Sequence, residues 1–116
     1  MAADDSGRVQ TFKAEFFKAL AHPLRIRILE LLVVRERSVL EIQRALGVEQ
    51  PVVSQQLAVL RGKHIVQARK EGTTVRYAVS DPEIRELLAV ARRIFNNQLV
   101  GTRSLLRELA REPRRR

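Results

Sequence analysis

The stretch Ser38-Val39-Leu40-Glu41-Ile42-Gln43-Arg44-Ala45-Leu46-Gly47-Val48-Glu49-Gln50-Pro51-Val52-Val53-Ser54-Gln55-Gln56-Leu57-Ala58-Val59-Leu60-Arg61 decides the fold. Ser38 followed three residues later by Glu41 reads as a capping box, in which each side chain satisfies a backbone N–H at the start of a helix. That short helix turns Val39, Ile42 and Leu46 inward and ends at Gly47. Pro51 has no N–H to satisfy and suits the first turn of a second helix, whose Val53, Leu57 and Leu60 share one face. Two short helices joined by a glycine-bearing turn make a helix-turn-helix.

Outward from this unit, residues 8–21 read as a helix with Val9, Phe12, Phe16 and Leu20 on one stripe. It stops at His22, because a following proline disfavours helical geometry there, and Pro23 opens a further helix through about Val34. Leu24, Ile28, Leu31 and Leu32 form its inward face, with Arg25 and Arg27 expected on solvated or salt-bridged surface. Downstream, residues 65–70 and 74–79 are rich in Val, Ile, Thr and Tyr around a Gly72 turn, the pattern of a β-hairpin. Ser80 and Glu83 suggest a second capping box, opening a long last helix that Gly101 is expected to kink or break. The order is that of an α+β, mostly helical winged helix with a two-stranded wing.

The chain's 116 residues suit one domain: residues 8–111, with 1–7 an unstructured N-terminus and 112–116 a basic tail. Lys and Arg number 22 against 13 Asp and Glu, a net charge of +9 that favours a polyanionic partner. The absence of cysteine excludes disulfides and thiolate metal sites. There is no apolar run of about 18 residues and the N-terminus is polar and acidic, so a cytoplasmic protein without a membrane partner is expected. Neither a Ser-His-Asp arrangement, a phosphate-cradling glycine loop nor a carboxylate pair is apparent, so no catalytic residue, metal or cofactor is expected and the chain reads as a non-enzyme.

Three blocks carry a family resemblance: residues 17–29 (Phe17 to Leu29), residues 46–61, and Arg69-Lys70-Glu71-Gly72-Thr73-Thr74-Val75-Arg76-Tyr77. In this order and spacing the chain resembles the ArsR/SmtB repressors, over about Phe12 to Phe95, and is most similar to their cysteine-poor, actinobacterial-type branch. The resemblance implies a dimeric winged-helix repressor that leaves its operator when an effector binds. The chain departs from the family's metal sensors. Ser38-Val39-Leu40 stands where they carry Cys-x-Cys, Asp81 is followed by Pro82 and Glu83, and no histidine lies beyond His64. Soft metals and zinc require the thiolate or imidazole ligands missing here. His64 also replaces the glycine that usually ends the recognition helix, and so must accept a left-handed conformation or shift the turn.

On a helical wheel, Pro51, Gln55 and Ala58 lie opposite Val53, Leu57 and Leu60, with Gln50 and Ser54 at the N-terminal flank. That face suits the major groove, since glutamine pairs bidentately with adenine and a small Ala58 permits close approach. A merely solvated helix face is the competing reading. Arg69, Lys70, Thr73 and Arg76 of the hairpin are expected to grip the flanking phosphates, and Arg44 and Arg61 flank the turn within reach of more. An ordinary charged strand surface is the alternative, most readily for Arg76. The apolar stripes of the first and last helices exceed what a monomer needs. Phe12, Phe16, Ile84, Leu87, Leu88, Ala91, Ile94 and Phe95 are therefore expected to be shared between core and homodimer interface. The expected partners are a palindromic operator in double-stranded DNA and a second copy, with the effector unknown. The rival readings are a constitutive DNA binder without effector and a winged helix used only for protein contacts.

Overall fold

Proline separates the first two helices as its stereochemistry requires. Helix α1 (Asp5–Leu20) stops before His22, which is extended (φ −150°, ψ 125°), and α2 (Pro23–Leu32) starts at the proline itself. The His22 Nδ1 accepts from the Leu24 N–H at 3.1 Å, so this imidazole caps a helix. The computed structural model describes residues 5–111. Residues 5–7, expected to be unstructured, stand in the first turn of α1. A single Gly7 costs a helix only about 1 kcal/mol and does not end it. Residues 1–4 and the expected basic tail, 112–116, lie outside the described residues.

The capping box at Ser38 forms with both partners. The Ser38 Oγ accepts from the Glu41 N–H at 3.2 Å, and the Glu41 carboxylate accepts from the Ser38 N–H at 2.9 Å. Helix α3 (Val39–Leu46) follows and ends on Gly47 in the left-handed region, φ 65°, whose N–H returns to the Gln43 carbonyl. Helix α4 (Gln50–Gly62) then turns Val53, Leu57 and Leu60 fully inward. His64 adopts φ 59°, the left-handed alternative set out above, and the Ile65 N–H closes onto the Leu60 carbonyl at 2.9 Å.

The sheet has three strands, not two. Besides β2 (Val66–Glu71) and β3 (Thr74–Val79), the two residues before α3 form β1 (Arg37–Ser38), giving the antiparallel order β1-β3-β2. A two-residue strand has no periodicity to betray it; β1 exists because Arg37 and Ser38 lie against Tyr77 and Arg76 of β3. Gly72, at φ 63°, takes the first position of the two-residue hairpin loop, where the chain needs a positive φ.

Ile28, Leu29, Leu32, Ile42, Val53, Leu57, Leu60, Ile65 and Val66 make the core, each worth about 1.5–3 kcal/mol of transfer free energy when fully buried. In α2 the inward set is Ile28, Leu29 and Leu32, while Leu24 and Leu31 are only half-buried, a small rotation from the expected face. Arg25, expected on solvated or salt-bridged surface, is half-buried, and its Nε finds no hydrogen-bond partner among the described residues.

Contacts divide the chain into two units, one running to Ile84 and the other starting at Arg85. The second is the body of α5 (Glu83–Arg111), which runs unbroken through Gly101, contrary to the expected break. Nor does Ser80 cap it. The Ser80 N–H is committed to the Ile65 carbonyl at 2.9 Å, which leaves Glu83 nothing to accept from there, and the cap falls one residue later, where Asp81 Oδ1 accepts from the Glu83 N–H at 2.9 Å. Among the described residues no helix is long and apolar enough to cross a membrane.

Candidate nucleic-acid interface

Burial along α4 follows the helical period and leaves one broad face open. Pro51, Gln55 and Ala58 are exposed opposite the buried Val53, Leu57 and Leu60, and Gln50, Ser54 and Arg61 are exposed along one flank of that face. No acidic residue stands within α4, so nothing on the helix itself repels a phosphate backbone. Val52 and Val59, to which the sequence assigns no role, are exposed along the other edge of that face. Their methyl groups are of the kind that packs against the C5-methyl of thymine. Arg44 is exposed in the last turn of α3. A recess of about 440 Å³ lies between the Ser54, Ala58 and Arg61 edge of α4 and Tyr77 of β3.

The hairpin differs from a freely charged wing. Lys70 and Thr73 are exposed, and among the described residues Lys70 makes no ion pair. Arg76, by contrast, is turned inward, its side chain 22% exposed, with Nε 3.3 Å from Glu36 Oε1 and Nη2 3.1 Å from Glu41 Oε1. It fastens the hairpin to the start of α3, which favours the strand-surface alternative for this residue over a grip on phosphate. Arg69 is also engaged, with Glu36 and, at 3.1 Å, with Glu71; these carboxylates raise its already high pKa, Glu36 most. Arg35 completes the set, 3.4 Å from Glu41 Oε2. Glu36 and Glu41 thus organise the wing; Glu36 did not stand out in the sequence, and Glu41 did so only as half of the capping box. Their partners on the hairpin are 33 to 40 residues away, beyond any local motif.

Glu41 is held below its ordinary value of 4.5, chiefly by the Ser38 N–H it accepts, with Arg35 and Arg76 adding to this against some desolvation. A carboxyl whose folded pKa is depressed contributes stability above its unfolded pKa, and that contribution disappears as pH falls through the lowered value. Glu41→Gln is therefore expected to destabilise the fold at neutral pH, by an amount that shrinks as pH drops below 4.5. Urea melts at neutral and acid pH measure it. A penalty constant across that range would show that the carboxylate's charge contributes nothing.

Of the residues expected at a subunit interface, Ile84 is 7% exposed within the first unit and belongs to its core. Phe16, Leu87, Leu88 and Ala91 are half-buried. Phe12 is 77% exposed and Phe95 59%, as Ile94 is exposed beside it. Each of the two helices therefore carries an uncovered apolar face, far larger groups than a lone surface side chain. Alongside α1, Phe12 and Phe16 line a groove of about 670 Å³ that reaches Lys63 and His64, where Lys63 pairs with Glu15 at 3.6 Å.

A buried-core helix pair with an open second helix, flanked by a β-hairpin, is a winged helix-turn-helix, the architecture of a class of DNA-binding transcriptional regulators. Residues 22–68 match the model of the bacterial regulatory protein arsR family. Over 106 residues, 90% of this chain and 93% of the relative, the sequence is 48% identical to the uncharacterized HTH-type transcriptional regulator Rv0081 of Mycobacterium tuberculosis. The chain belongs to the ArsR family of bacterial transcriptional regulators.

Solved structures agree. The crystal structure of Rv0081 superposes with a TM-score of 0.76 at 50% identity, covering 81% of this chain and 95% of that one. The solution structure of the homodimeric winged helix-turn-helix DNA-binding domain of Mb0332 from Mycobacterium bovis gives a TM-score of 0.77 at 32% identity, covering 85% and 94%. The biofilm growth-associated repressor of Xylella fastidiosa (strain Temecula1) is 33% identical over 98 residues, 84% of this chain and 86% of that protein.

Proposed function

We propose that this regulator is a cytoplasmic repressor that binds, as a homodimer, an imperfect palindrome in double-stranded DNA and blocks transcription there. The observation that carries the reading is the open face of α4, with exposed Gln50, Ser54, Gln55 and Ala58 and no acidic residue in the helix. A two-fold dimer presents two such helices, and half-sites about one helical turn apart, roughly 10 base pairs, match them. The uncovered apolar faces of α1 and α5 supply the subunit contact, and the homodimeric relative supports the same assembly. The protein acts by occupying DNA and carries out no chemistry on it. Soft metals and zinc are not expected to release it from DNA, because the chain does not have thiolate or imidazole ligands at the family's positions.

Selection from a random duplex pool tests the reading. Enrichment of an inverted repeat is expected; recovery of unrelated duplexes alone would contradict it, and recovery of no duplex would point to a protein-interaction module. Lys70→Ala separates positioning from readout. Losing one phosphate contact is expected to weaken selected and random duplexes alike and to lower the salt slope, log K against log[salt], by about one per subunit. A loss confined to the selected duplex would place Lys70 on a base edge instead.

A further inference from the structure

We propose that Glu36 is an internal competitor of DNA phosphate, a positioning residue that keeps Arg69 on the protein and so limits how strongly the wing grips any duplex. This deepens the DNA-binding reading above and rests on it. Arg69 and Arg76 stand directly opposite each other on β2 and β3. Like charges in that position repel and destabilise a strand pair. One carboxylate oxygen resolves the conflict, since Glu36 Oε1 takes Arg69 Nη2 and, at 3.3 Å, Arg76 Nε together.

The two arginines are not equally committed. Arg76 has a second acceptor in Glu41 and is largely covered, so it stays with the protein. Arg69 has a side chain 54% exposed, and its other acceptor, Glu71, is itself exposed. A guanidinium held by carboxylates at the surface presents the same fork to a phosphate, and surface ion pairs are weak enough to exchange. Each phosphate contact by Arg69 must therefore displace Glu36. The hairpin as built brings Lys70 to the backbone at no such cost, and Arg69 only against competition.

A double-mutant cycle on the full-length protein tests this by fluorescence anisotropy, with a selected and a random duplex over about 50–200 mM salt. Glu36→Gln, which retains an oxygen for the guanidinium groups, is expected to tighten both duplexes by about tenfold near 0.1 M salt and to steepen the slope by about one per subunit. Arg69→Gln alone is expected to change the slope little, because Glu36 already occupies that arginine. In the Glu36→Gln background the same substitution is expected to return the slope to the wild-type value. An unchanged slope in Glu36→Gln overturns the proposal. So does an Arg69→Gln effect of equal size in both backgrounds, which marks a general charge effect with no coupling between the two residues. A wild-type protein with no salt-dependent binding would overturn the DNA-binding reading itself.

Discussion

Phe95→Glu is expected to convert the protein from a dimer to a monomer at micromolar concentration. Phe95 lies on the apolar face of α5 and is 59% exposed in the single chain, so the substitution removes little from the core and most of its effect falls on association. A two-fold interface meets each change twice. Burying two carboxylates without partners, and losing two aromatic rings, costs several kcal/mol per dimer, about 3 kcal/mol even after the groups relax toward solvent. That raises the dissociation constant by about a hundredfold. Sedimentation velocity reads it directly. Leu88→Glu, half-buried in the single chain, should act in the same direction with a larger share of its effect on folding. A wild-type chain that sediments as a monomer at that concentration would remove α5 from the interface.

The second large effect belongs to Gln55. Its side chain is exposed near the middle of the open face of α4, beside Pro51 on the helical wheel, and a glutamine there can pair bidentately with adenine. Gln55→Ala is expected to lower affinity for the selected duplex by about 1–3 kcal/mol and to flatten the base preference at one position of each half-site. Binding to random duplex, dominated by phosphates, should hardly change. Repeating the pool selection with the variant shows which position relaxes. An identical preference in the two proteins would mean that the face is drawn around the wrong residues.

What the sequence made legible is what is local. The inward faces of α3 and α4 follow from residues three and four apart, that of α2 does so only to within a small rotation, and the Ser38–Glu41 capping box needs only neighbours on one turn. The open face of α4 was legible for the same reason, since burial of Val53, Leu57 and Leu60 fixes the opposite side of the same helix. Expectations failed where a distant group intervened. Ser80 has the right neighbour in Glu83, but its N–H goes to Ile65, fifteen residues earlier, which removes the Glu83 half of the capping box, and Asp81 caps the helix instead. Arg76 reads as a wing cation until Glu36 and Glu41 are brought beside it. β1 owes its existence to β3, and Gly101 is carried by a 29-residue helix whose other residues outweigh the roughly 1 kcal/mol it costs. Charge composition indicated a polyanionic partner, but it did not distinguish the arginines committed to internal carboxylates from the lysine left available.

That α4 reads DNA sequence while the wing holds the backbone is tested most directly by the wild-type protein on two duplexes, a selected inverted repeat and its scrambled counterpart. Anisotropy titrations over about 50–200 mM salt should show affinity falling steeply with salt for both, and a preference for the inverted repeat of about a thousandfold or more at each salt concentration. Equal affinities for the two duplexes at every salt concentration, or binding indifferent to salt, would contradict it.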